Sequence, residues 1–394
     1  MMMVNKAKRV RKNGQERQKK MGPIVVLGIE TSCDDTSMAV IRGHVEPQLL
    51  SHHSFSQESI LKRWGGVVPE IAARNHMEKV IPILCMALEG AQVKLEDIDL
   101  IGVTALPGLL GPLLTGINLA KSLSLFLEVP IVPVNHLFAH LEAVFLTASE
   151  ISYPYLGLLV SGGHSIYFWV TATNDFELLG QTIDDAAGEA FDKGGRLLGL
   201  PYPAGKFIDQ ISVFGDPYSY TFPIGLKEEH GCNLSFSGVK TSLKNFLEKN
   251  PEFVQMARQL EIGDLVGDRG NVNFPPQELA NLCASYQMSI IKALILKMNR
   301  AIDQVESLRK TKTSFPIVVG GGVAANRTLR TEICRSFVNY DVHFVAPEFC
   351  TDNGAMIAHY AYKIESRQSP SLNVCKLMRQ QNICCHSTCC HSVS

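Results

Sequence analysis

The chain has 394 residues, of which 46% are hydrophobic and 19% charged, and its formal net charge is -1. A chain of this length exceeds one typical core and predicts two globular domains. The near-neutral charge excludes nucleic-acid binding through the overall field, so any RNA contact needs a local basic patch. Eleven cysteines in so long a chain exclude a disulfide scaffold. We expect no apolar run of the roughly 18–20 residues that a membrane span needs.

Two terminal segments are compositionally biased. Residues 1–20 carry eight basic residues against the single acid Glu16, without an apolar stretch, which excludes a secretory signal. They predict a disordered basic extension over 1–22, or a segment upstream of a start at Met21. Residues 367–394 are rich in cysteine and histidine and predict a disordered tail. Zinc binding there is the alternative, although the spacing matches no familiar finger.

The first part of the folded chain reads as a meander of strands followed by alternating strand and helix. Three strands are predicted in succession, at Ile24–Ile29, Ser37–Ile41 and Leu49–Phe55. The turn between the first two is unusually rich in hydroxyls and carboxylates. Leu100–Thr104 predicts a buried strand, and a Gly/Pro-rich stretch then leads into an apolar helix through Lys121.

The same pattern recurs later in the chain. Its strands are predicted at Tyr155–Val160, Ile166–Thr171 and Phe176–Gly180, with the turn Ser161-Gly-Gly-His-Ser165 between the first two. Pro316–Val319 then predicts a strand that runs into three consecutive glycines, followed by a helix from about Ala324. Such a turn lets the backbone approach a phosphate or nucleoside, although a tight strand–helix turn accounts for one of the glycines.

A repeated strand–turn–strand unit predicts two similar α/β lobes with a cleft between them. We place the first lobe at 23–150 and the second at 151–366, with a polar helical insertion at about 227–276 that includes the charged stretch 261–269. The two polar turns are expected to face the cleft from opposite sides. Paired turns of this kind clamp nucleotide phosphates in actin-like folds. The chain has no Gly-x-x-x-x-Gly-Lys-[Ser/Thr] motif, which argues against a Walker-type ATPase.

His136 and His140 are the most informative residues. A four-residue spacing places two imidazoles on one helical face, within reach of one metal ion. Asp352, in a polar segment that leads into an apolar helix, is the best candidate for a third ligand. Two histidines and one carboxylate would leave coordination positions open for a substrate. The alternative is that the pair is ordinary surface or core histidine.

A metalloprotease is the usual protein with such a helix, and it does not fit here. Its motif needs a glutamate directly after the first histidine as general base, and that position is Leu137. Glu142 lies two residues after the second histidine, on a different side of the helix. A metal at this site is therefore expected to position a ligand rather than to activate water for peptide hydrolysis.

The motifs together resemble the tRNA N(6)-adenosine threonylcarbamoyltransferase family, formerly called O-sialoglycoprotein endopeptidase, in its bacterial and organellar branch. The resemblance covers about residues 25–365. Besides the two histidines, the matching segments are Gly28–Thr36, Gly65–Arg74, Asn135–His136, Ser161–His164, Asp184–Lys193, Ser235–Thr241, Gly320–Asn326 and Cys350–Ala358.

The resemblance implies an α/β, two-lobed, actin-like fold (ASKHA, a duplicated RNase H-like unit) with an interlobe cleft. It implies transfer of threonylcarbamoyl from threonylcarbamoyl-AMP to the exocyclic amine of adenosine 37, in tRNAs reading codons that begin with A, with release of AMP. One divalent metal per subunit is implied, Fe(II) favoured and Zn(II) the alternative. In the bacterial case the partners are an inactive ASKHA paralogue and a small ATPase helper. A membrane is not expected to be involved, and the cytoplasm is the expected compartment, with the mitochondrial matrix as the alternative.

The resemblance also assigns residues. His136, His140 and Asp352 would hold the metal. The backbone loop around the substrate phosphate and carbamoyl would be Leu159, Val160, Ser161, Gly162 and Gly163, and the ribose and adenine would be held by Asp192, Gly205 and Asn326.

Asp34, Asp35 and His164 lie in the two polar turns and are candidates for proton handling or for positioning the adenosine. A plain turn-forming role is the alternative for all three. Arg74 and Lys240 are candidates for contact with RNA phosphate, or are simply solvated.

Four positions depart from the family pattern and bear on fine positioning. They are Asp35 in place of Glu, Leu106 in Leu-Pro-Gly, Ala204 in Ala-Gly-Lys and Ser165 in place of Thr. Two other kinds of protein remain to be weighed. A non-catalytic scaffold paralogue would be expected to lack the metal histidines. A kinase-like nucleotide hydrolase would bind Mg(II), which prefers carboxylate and phosphate oxygens to imidazole.

Overall fold

The computed structural model describes residues 23–43, 47–61, 64, 66–148, 151–260, 274–309 and 314–367. The predicted basic extension and the charged stretch 261–269 lie outside the described residues, as does the Cys/His-rich tail beyond Arg367. The chain forms two compact units. In the described residues the first comprises 23–57, 69–136 and 353–367, and the second comprises 58–68 and 137–352.

The sheet of the first unit has five strands in the order β3-β2-β1-β4-β5. The first three form an antiparallel meander, and β4 and β5 run parallel to β1. Their bounds are β1 Ile24–Glu30, β2 Asp35–Gly43, β3 Gln48–Ser56, β4 Leu100–Leu106 and β5 Ile131–Asn135. The central strands are nearly continuous apolar runs because helices cover both faces of the sheet.

Three long helices cover this sheet, namely α2 Pro69–Gly90, α3 Leu110–Leu127 and α11 Gly354–Arg367; the short α1, Glu58–Leu61, belongs to the second unit. On one face α2 and α3 pack together, and α11 packs along β1, β2 and β4. A Cβ on Gly28 would lie well inside 3.0 Å of the Gly354 carbonyl. Glycine within β1 therefore permits the close approach of the α11 backbone.

The second unit repeats this architecture with the order β10-β9-β6-β7-β8. Again three strands form an antiparallel meander, and β9 and β10 add in parallel. The bounds are β6 Tyr155–Val160, β7 Ser165–Ala172, β8 Asp175–Gln181, β9 Ile317–Gly320 and β10 Val342–Phe344. Both sheets have the RNase H-like order, with the first strand of each meander beside the parallel pair. The predicted α/β fold with two similar lobes is confirmed.

The other described helices of the second unit are α4 His136–Glu142, whose first residue is the last of the 69–136 segment of the first unit, α5 Ala187–Leu198, α6 Ala204–Ser212, α7 Ser237–Lys249, α8 Glu252–Gln259, α9 Gln277–Arg309 and α10 Arg327–Ser336. The predicted insertion contributes α7 and α8, which are packed against α5 and α9. The helix expected from about Ala324 starts later. A 3-10 turn covers Gly322–Ala325, and Asn326 then caps α10 by accepting a hydrogen bond from the Leu329 N–H at 2.8 Å.

Among the residues that the structure describes, two helices are long and apolar enough to cross a membrane, so the expectation that no apolar run has this length is wrong by the criterion of length and composition. They are α3, whose apolar window is 33% buried, and the Gln277–Leu308 part of α9, whose window is 78% buried. Helix α9 packs against α6 and two strands of its sheet, and α3 packs on β4. The core helix of a soluble protein has the same composition, so these helices are weak evidence for a membrane span.

Candidate metal centre and substrate loop

Helix α4 starts directly at the end of β5 and carries both candidate metal ligands. His136 is its first residue and His140 lies one turn later, and both side chains are buried. Glu142 ends the helix, and its carboxylate accepts hydrogen bonds from the hydroxyls of Tyr153 and Tyr155 at 2.7–2.9 Å. These contacts anchor the end of the helix, so the Glu142 carboxylate has a structural role.

Asp352 completes a group of three ligands with the two histidines. Its Oδ1 lies 3.1 Å from Nε2 of His140, although the two residues are 212 positions apart in the sequence. In the described residues, one donor atom from each of His136, His140 and Asp352 lies within 4.8 Å of the others. Donors at about 2.1 Å from a shared ion are roughly 3 Å apart, as those of His140 and Asp352 are, so the three residues could hold one divalent metal.

The helix after Asp352 is capped by the next residue rather than by Asp352 itself. The Asn353 side chain accepts a hydrogen bond from the Met356 N–H at 2.8 Å, which satisfies a donor of the first turn of α11. The Gly354 N–H is bonded to the Ser37 hydroxyl at 2.8 Å. The capping role therefore falls to Asn353, and the Asp352 carboxylate is directed to His140.

A buried carboxylate supports His136 from behind. Oε2 of Glu30, at the end of β1, lies 3.0 Å from Nδ1 of His136 and accepts the Thr104 hydroxyl at 2.6 Å. The Ser32 hydroxyl lies 3.3 Å from the same ring nitrogen. A carboxylate on Nδ1 orients the ring, so Nε2 is the atom that would bind a metal. The fully buried Glu30 was not predicted as a site residue, although an acid ending an apolar strand is the available signal.

The turn after β6 is the predicted substrate loop. Leu159 and Val160 are buried at the end of the strand, and the Ser161 N–H donates to the His164 carbonyl at 2.8 Å to close the turn. Helix α5 begins against this turn, because the Glu189 N–H donates to the Gly162 carbonyl at 3.1 Å. The positive end of the α5 dipole therefore lies beside the loop.

Two glycines of this turn have no packing reason to be glycine. A Cβ on Gly162 or on Gly163 would meet no atom within 4 Å, and neither residue has a positive φ. Both are exposed. A backbone without side chains here would allow a ligand to approach closely.

Three consecutive glycines, the first of which ends β9, pack against both the candidate metal helix and the strand that leads into the candidate substrate loop. A Cβ on Gly320 would lie 2.8 Å from the His140 carbonyl, and one on Gly321 well inside 3.0 Å of the Val160 carbonyl. Gly321 also has φ +93°, a conformation that favours glycine. At Gly322 an added Cβ would meet nothing within 4 Å. Two of the glycines therefore serve packing, and the third, which is half-buried, leaves open space beside the backbone.

The predicted nucleoside residues have different surroundings. The Gly205 N–H donates to Oδ1 of Asp192 at 3.0 Å, so the structure brings these two together. Burial raises the pKa of Asp192, and hydrogen bonds from the N–H groups of Gly205 and Ala204 oppose the rise. The Asn326 side chain caps α10 and donates to Gln287 at 2.7 Å, so its amide has structural partners here.

The predicted catalytic residues lie in the two polar turns. Asp34 is half-buried after β1, and its carbonyl accepts the Gln57 N–H at 3.3 Å. Asp35 starts β2 opposite Ser56. His164 is half-buried in the substrate loop, where its N–H donates to the Ser161 hydroxyl at 3.2 Å.

His76 is a second supporting residue that the sequence analysis did not identify. It is fully buried in α2, with Nδ1 2.7 Å from the Thr36 hydroxyl and Nε2 3.1 Å from the Cys33 carbonyl. Burial lowers its pKa, so the ring is neutral near pH 7. These contacts hold both ends of the turn that carries Asp34 and Asp35. The sequence signal is its place two residues after Arg74, next to a matching motif.

Known proteins match the chain over most of its length. The profile of the family described as tRNA N6-adenosine threonylcarbamoyltransferase (TsaD) matches residues 48–359. An enzyme of that name from Anaeromyxobacter sp. (strain Fw109-5) is 43% identical over 336 residues, 84% of this chain and 92% of the relative. One from Dinoroseobacter shibae (strain DSM 16493 / NCIMB 14021 / DFL 12) is 44% identical over 337 residues, 85% of this chain and 87% of the relative.

Solved structures are more distant. Component A of the (R)-2-hydroxyglutaryl-CoA dehydratase of Acidaminococcus fermentans has a TM-score of 0.47 at 13% identity, over 87% of this chain and 100% of its own. Full-length HypF has a TM-score of 0.49 at 13% identity, over 88% of this chain and 47% of its own. The family profile and the curated relatives show that the chain belongs to the tRNA N6-adenosine threonylcarbamoyltransferase family, whose members are transferases with tRNA as substrate.

Proposed function

We propose that the chain transfers threonylcarbamoyl from threonylcarbamoyl-AMP to the exocyclic amine of adenosine 37 in tRNA and releases AMP. The observation that carries the proposal is the Gly320–Gly322 turn, which packs on the carbonyls of both His140 and Val160. It holds the candidate metal helix next to the candidate substrate loop. The open backbone at Gly162, Gly163 and Gly322 supports an acyl phosphate bound mainly by main-chain groups.

The reaction needs orientation and charge stabilisation more than a protein nucleophile. The lone pair of the amine attacks the carbamoyl carbon, a C–N bond forms, and the C–O bond to the phosphate breaks with its electron pair leaving on AMP. His136, His140 and Asp352 would hold the metal, Fe(II) favoured and Zn(II) the alternative, whose positive charge would stabilise the departing phosphate. We expect main-chain N–H groups of the substrate loop to orient the anhydride.

The amine must lose one proton during the transfer. His164 adjoins the exposed glycines of the substrate loop, and Asp34 and Asp35 lie in the other polar turn. These three residues are the proposed proton acceptors or adenosine-positioning groups. One of the variants His164→Ala and Asp34→Asn, whichever removes the proton acceptor, should then lower the rate of transfer at saturating threonylcarbamoyl-AMP by about 10²–10⁴-fold.

The decisive experiment supplies synthetic threonylcarbamoyl-AMP to the full chain with unmodified tRNA bearing adenosine 37. Wild type is compared with His136→Ala and with His230→Ala, a control at an exposed histidine in a loop. Metal content is measured on all three proteins. We expect product from wild type and the control, and loss of both metal and product in His136→Ala.

Two results would argue against the proposal. Full activity of His136→Ala without bound metal would remove the metal from the reaction. Absence of product from metal-loaded wild type, with an inactive ASKHA paralogue and a small ATPase helper also supplied, would contradict the proposed transfer and favour a scaffold role.

A further inference from the structure

Helices α5 and α7 lie side by side in the second unit and enclose a cleft whose wall is formed mainly by the apolar stems of four basic side chains. The cavity has a volume of about 240 Å³ and is lined by Lys193, Arg196, Leu197, Lys240, Thr241 and Lys244. Each helix contributes two cations from one face, at a spacing of three or four residues. None of the lining residues is acidic. We call this cavity the α5–α7 cleft.

Carboxylates near the cleft neutralise part of its charge. Asp185 lies beneath it and forms ion pairs with Lys193 and Lys240. Although burial opposes ionisation, hydrogen bonds from these two lysines hold the pKa of Asp185 below its ordinary value, so it is ionised near pH 7. Lys193 also lies 3.5 Å from Glu189.

The outer cations are the ones available to a partner. Lys244 is 61% exposed and pairs only loosely with Glu248, at 3.8 Å. In the described part of the chain, Arg196 is exposed and forms no ion pair within 4.0 Å, although its charge helps to keep the pKa of Asp192 from rising further with burial. These two positive charges lie on different helices, at opposite sides of the cleft.

The cleft is close to the substrate loop because one helix connects them. The N–H of Gly188 donates to the Ser161 carbonyl at 3.3 Å, and Lys193 and Arg196 follow on the same helix. At 1.5 Å per residue, these cations lie about 8–12 Å along α5 from the loop. A nucleotide at the loop would therefore have its flanking backbone near the cleft.

An exposed aromatic side chain lies two residues before a glycine that is close to Arg196. Trp64 is 64% exposed, and a Cβ on Gly66, two residues later, would lie 4.0 Å from a guanidinium nitrogen of Arg196. The only other tryptophan, Trp169, is buried. Aromatic rings beside basic groups are typical of surfaces that bind single-stranded RNA, because bases stack on the ring while phosphates bind the cations.

We propose that the α5–α7 cleft binds backbone phosphates of the tRNA next to the modified adenosine, and that Trp64 stacks on a neighbouring base. This inference rests on the proposed function, since it takes tRNA as the substrate. A compact anion would need cations that converge on one point, whereas Lys193 and Lys240 converge on Asp185. The outer charges on two helices suit a chain of phosphates instead.

The test measures binding of fluorescein-labelled, unmodified tRNA to the full chain by anisotropy, over a series of salt concentrations. The double variant Arg196→Gln/Lys244→Gln leaves the Asp185 ion pairs in place. We expect its Kd to rise about tenfold. The slope of log K against log salt should fall by about 1.4, since each single-strand phosphate contact contributes about 0.7. Lys249→Gln, exposed on the last turn of α7 and outside the cleft, is the matched control and should bind like wild type.

Stacking of Trp64 on a base is measured separately, by tRNA affinity and by tryptophan fluorescence. Trp64→Ala should weaken tRNA binding by roughly 5- to 100-fold, and Trp64→Phe should recover part of it. Saturating tRNA should quench the tryptophan fluorescence of wild type but not of Trp64→Phe, because Trp169 is buried.

Several outcomes would overturn the inference. They are an unchanged Kd and salt slope in the double variant, wild type that binds no tRNA, or displacement of tRNA by millimolar inorganic phosphate, which would indicate a small-anion site. The single variants Arg196→Gln and Lys244→Gln replace the double variant if it does not fold. Failure of the proposed transfer is distinguishable, because wild type would then bind tRNA with the expected salt slope and yet form no product.

Discussion

At the scale of single residues, the candidate metal site depends on a carboxylate that does not touch the proposed metal. Glu30 is fully buried, and its two oxygens bond to the Ser32 N–H, the Thr104 hydroxyl and Nδ1 of His136. Such an outer carboxylate fixes the imidazole orientation and increases its basicity. We therefore regard Glu30 as a positioning residue for His136.

Glu30→Gln should weaken metal binding about 10- to 100-fold, because an amide orients the imidazole less strongly than a carboxylate. Competition between the protein and a chromogenic chelator for Zn(II) measures the affinity directly. Glu78→Gln, at an exposed position of α2, is the matched control. Equal zinc affinity in Glu30→Gln and wild type would contradict the positioning role.

His359 makes a separate contribution, to the pH dependence of stability. It is buried in α11, and in the described residues neither of its ring nitrogens has a protein hydrogen-bond partner. Burial, assisted by the charge of Lys363, lowers its pKa from 6.5 to about 3. The unfolded state thus binds more protons between these values, so stability falls as the pH drops below about 6.5.

His359→Leu should remove this loss of folding stability at low pH. At pH 5 the histidine destabilises wild type by about 2 kcal/mol through the shifted pKa, so the variant should gain that much relative to wild type between pH 7.5 and pH 5. Urea unfolding at both pH values measures the change, with His230→Ala as the control. A constant difference between His359→Leu and wild type at the two pH values would show that this histidine is not responsible.

At the scale of elements, glycine turns place the site by close backbone approach. The turn after β9 packs on the carbonyls of α4 and β6, and the N-terminus of α5 packs on the substrate loop. Adjacent glycines in this turn are therefore required for different physical reasons. Gly321 serves packing and conformation, whereas Gly322 leaves space beside the backbone.

Alanine at Gly321 should affect stability, whereas alanine at Gly322 should affect substrate binding. Gly321→Ala should lower the free energy of unfolding by about 1–3 kcal/mol, because a Cβ meets the Val160 carbonyl and φ is positive. Gly322→Ala should retain the stability of wild type but bind threonylcarbamoyl-AMP more weakly, measured by calorimetry. Gly231→Ala is the control in an exposed loop. Tight substrate binding by Gly322→Ala would show that no ligand approaches this backbone.

At the scale of the whole molecule, the candidate metal would link segments far apart in the chain. His140 and Asp352 are separated by 212 residues and meet at 3.1 Å. A ligand that binds only the folded protein stabilises it by mass action, by about 2.7 kcal/mol at one hundred times its Kd. The folded state should therefore depend measurably on metal.

Removal of metal with a chelator should lower the Tm of wild type, and Zn(II), or Fe(II) without oxygen, should restore it. His140→Ala should have a low Tm that added metal does not raise, whereas His230→Ala should respond like wild type. Differential scanning calorimetry provides the measurement. A wild-type Tm that is independent of metal would mean that the three residues do not form a metal site in the folded protein.

Local pattern in the sequence predicted the strands well. Tyr155–Val160 has the predicted bounds, and β1 differs by one residue, because apolar runs bounded by polar turns specify buried strands. The helix through Lys121 extends to Leu127, where Glu128 takes a left-handed conformation that apolar periodicity does not signal. The pairing of His136 and His140 on one helical face was equally predictable from the four-residue spacing.

The sequence by itself determined the duplicated α/β architecture, the family and the three residues proposed for the metal, since these depend on local pattern and on motif order. Only the tertiary structure decided that Glu30 orients His136 and that Asn353 caps α11. It also decided that the lysines of α5 and α7 share one cleft. The physical reason is distance along the chain. Contacts between residues dozens to hundreds of positions apart depend on how the elements pack, which local periodicity does not encode.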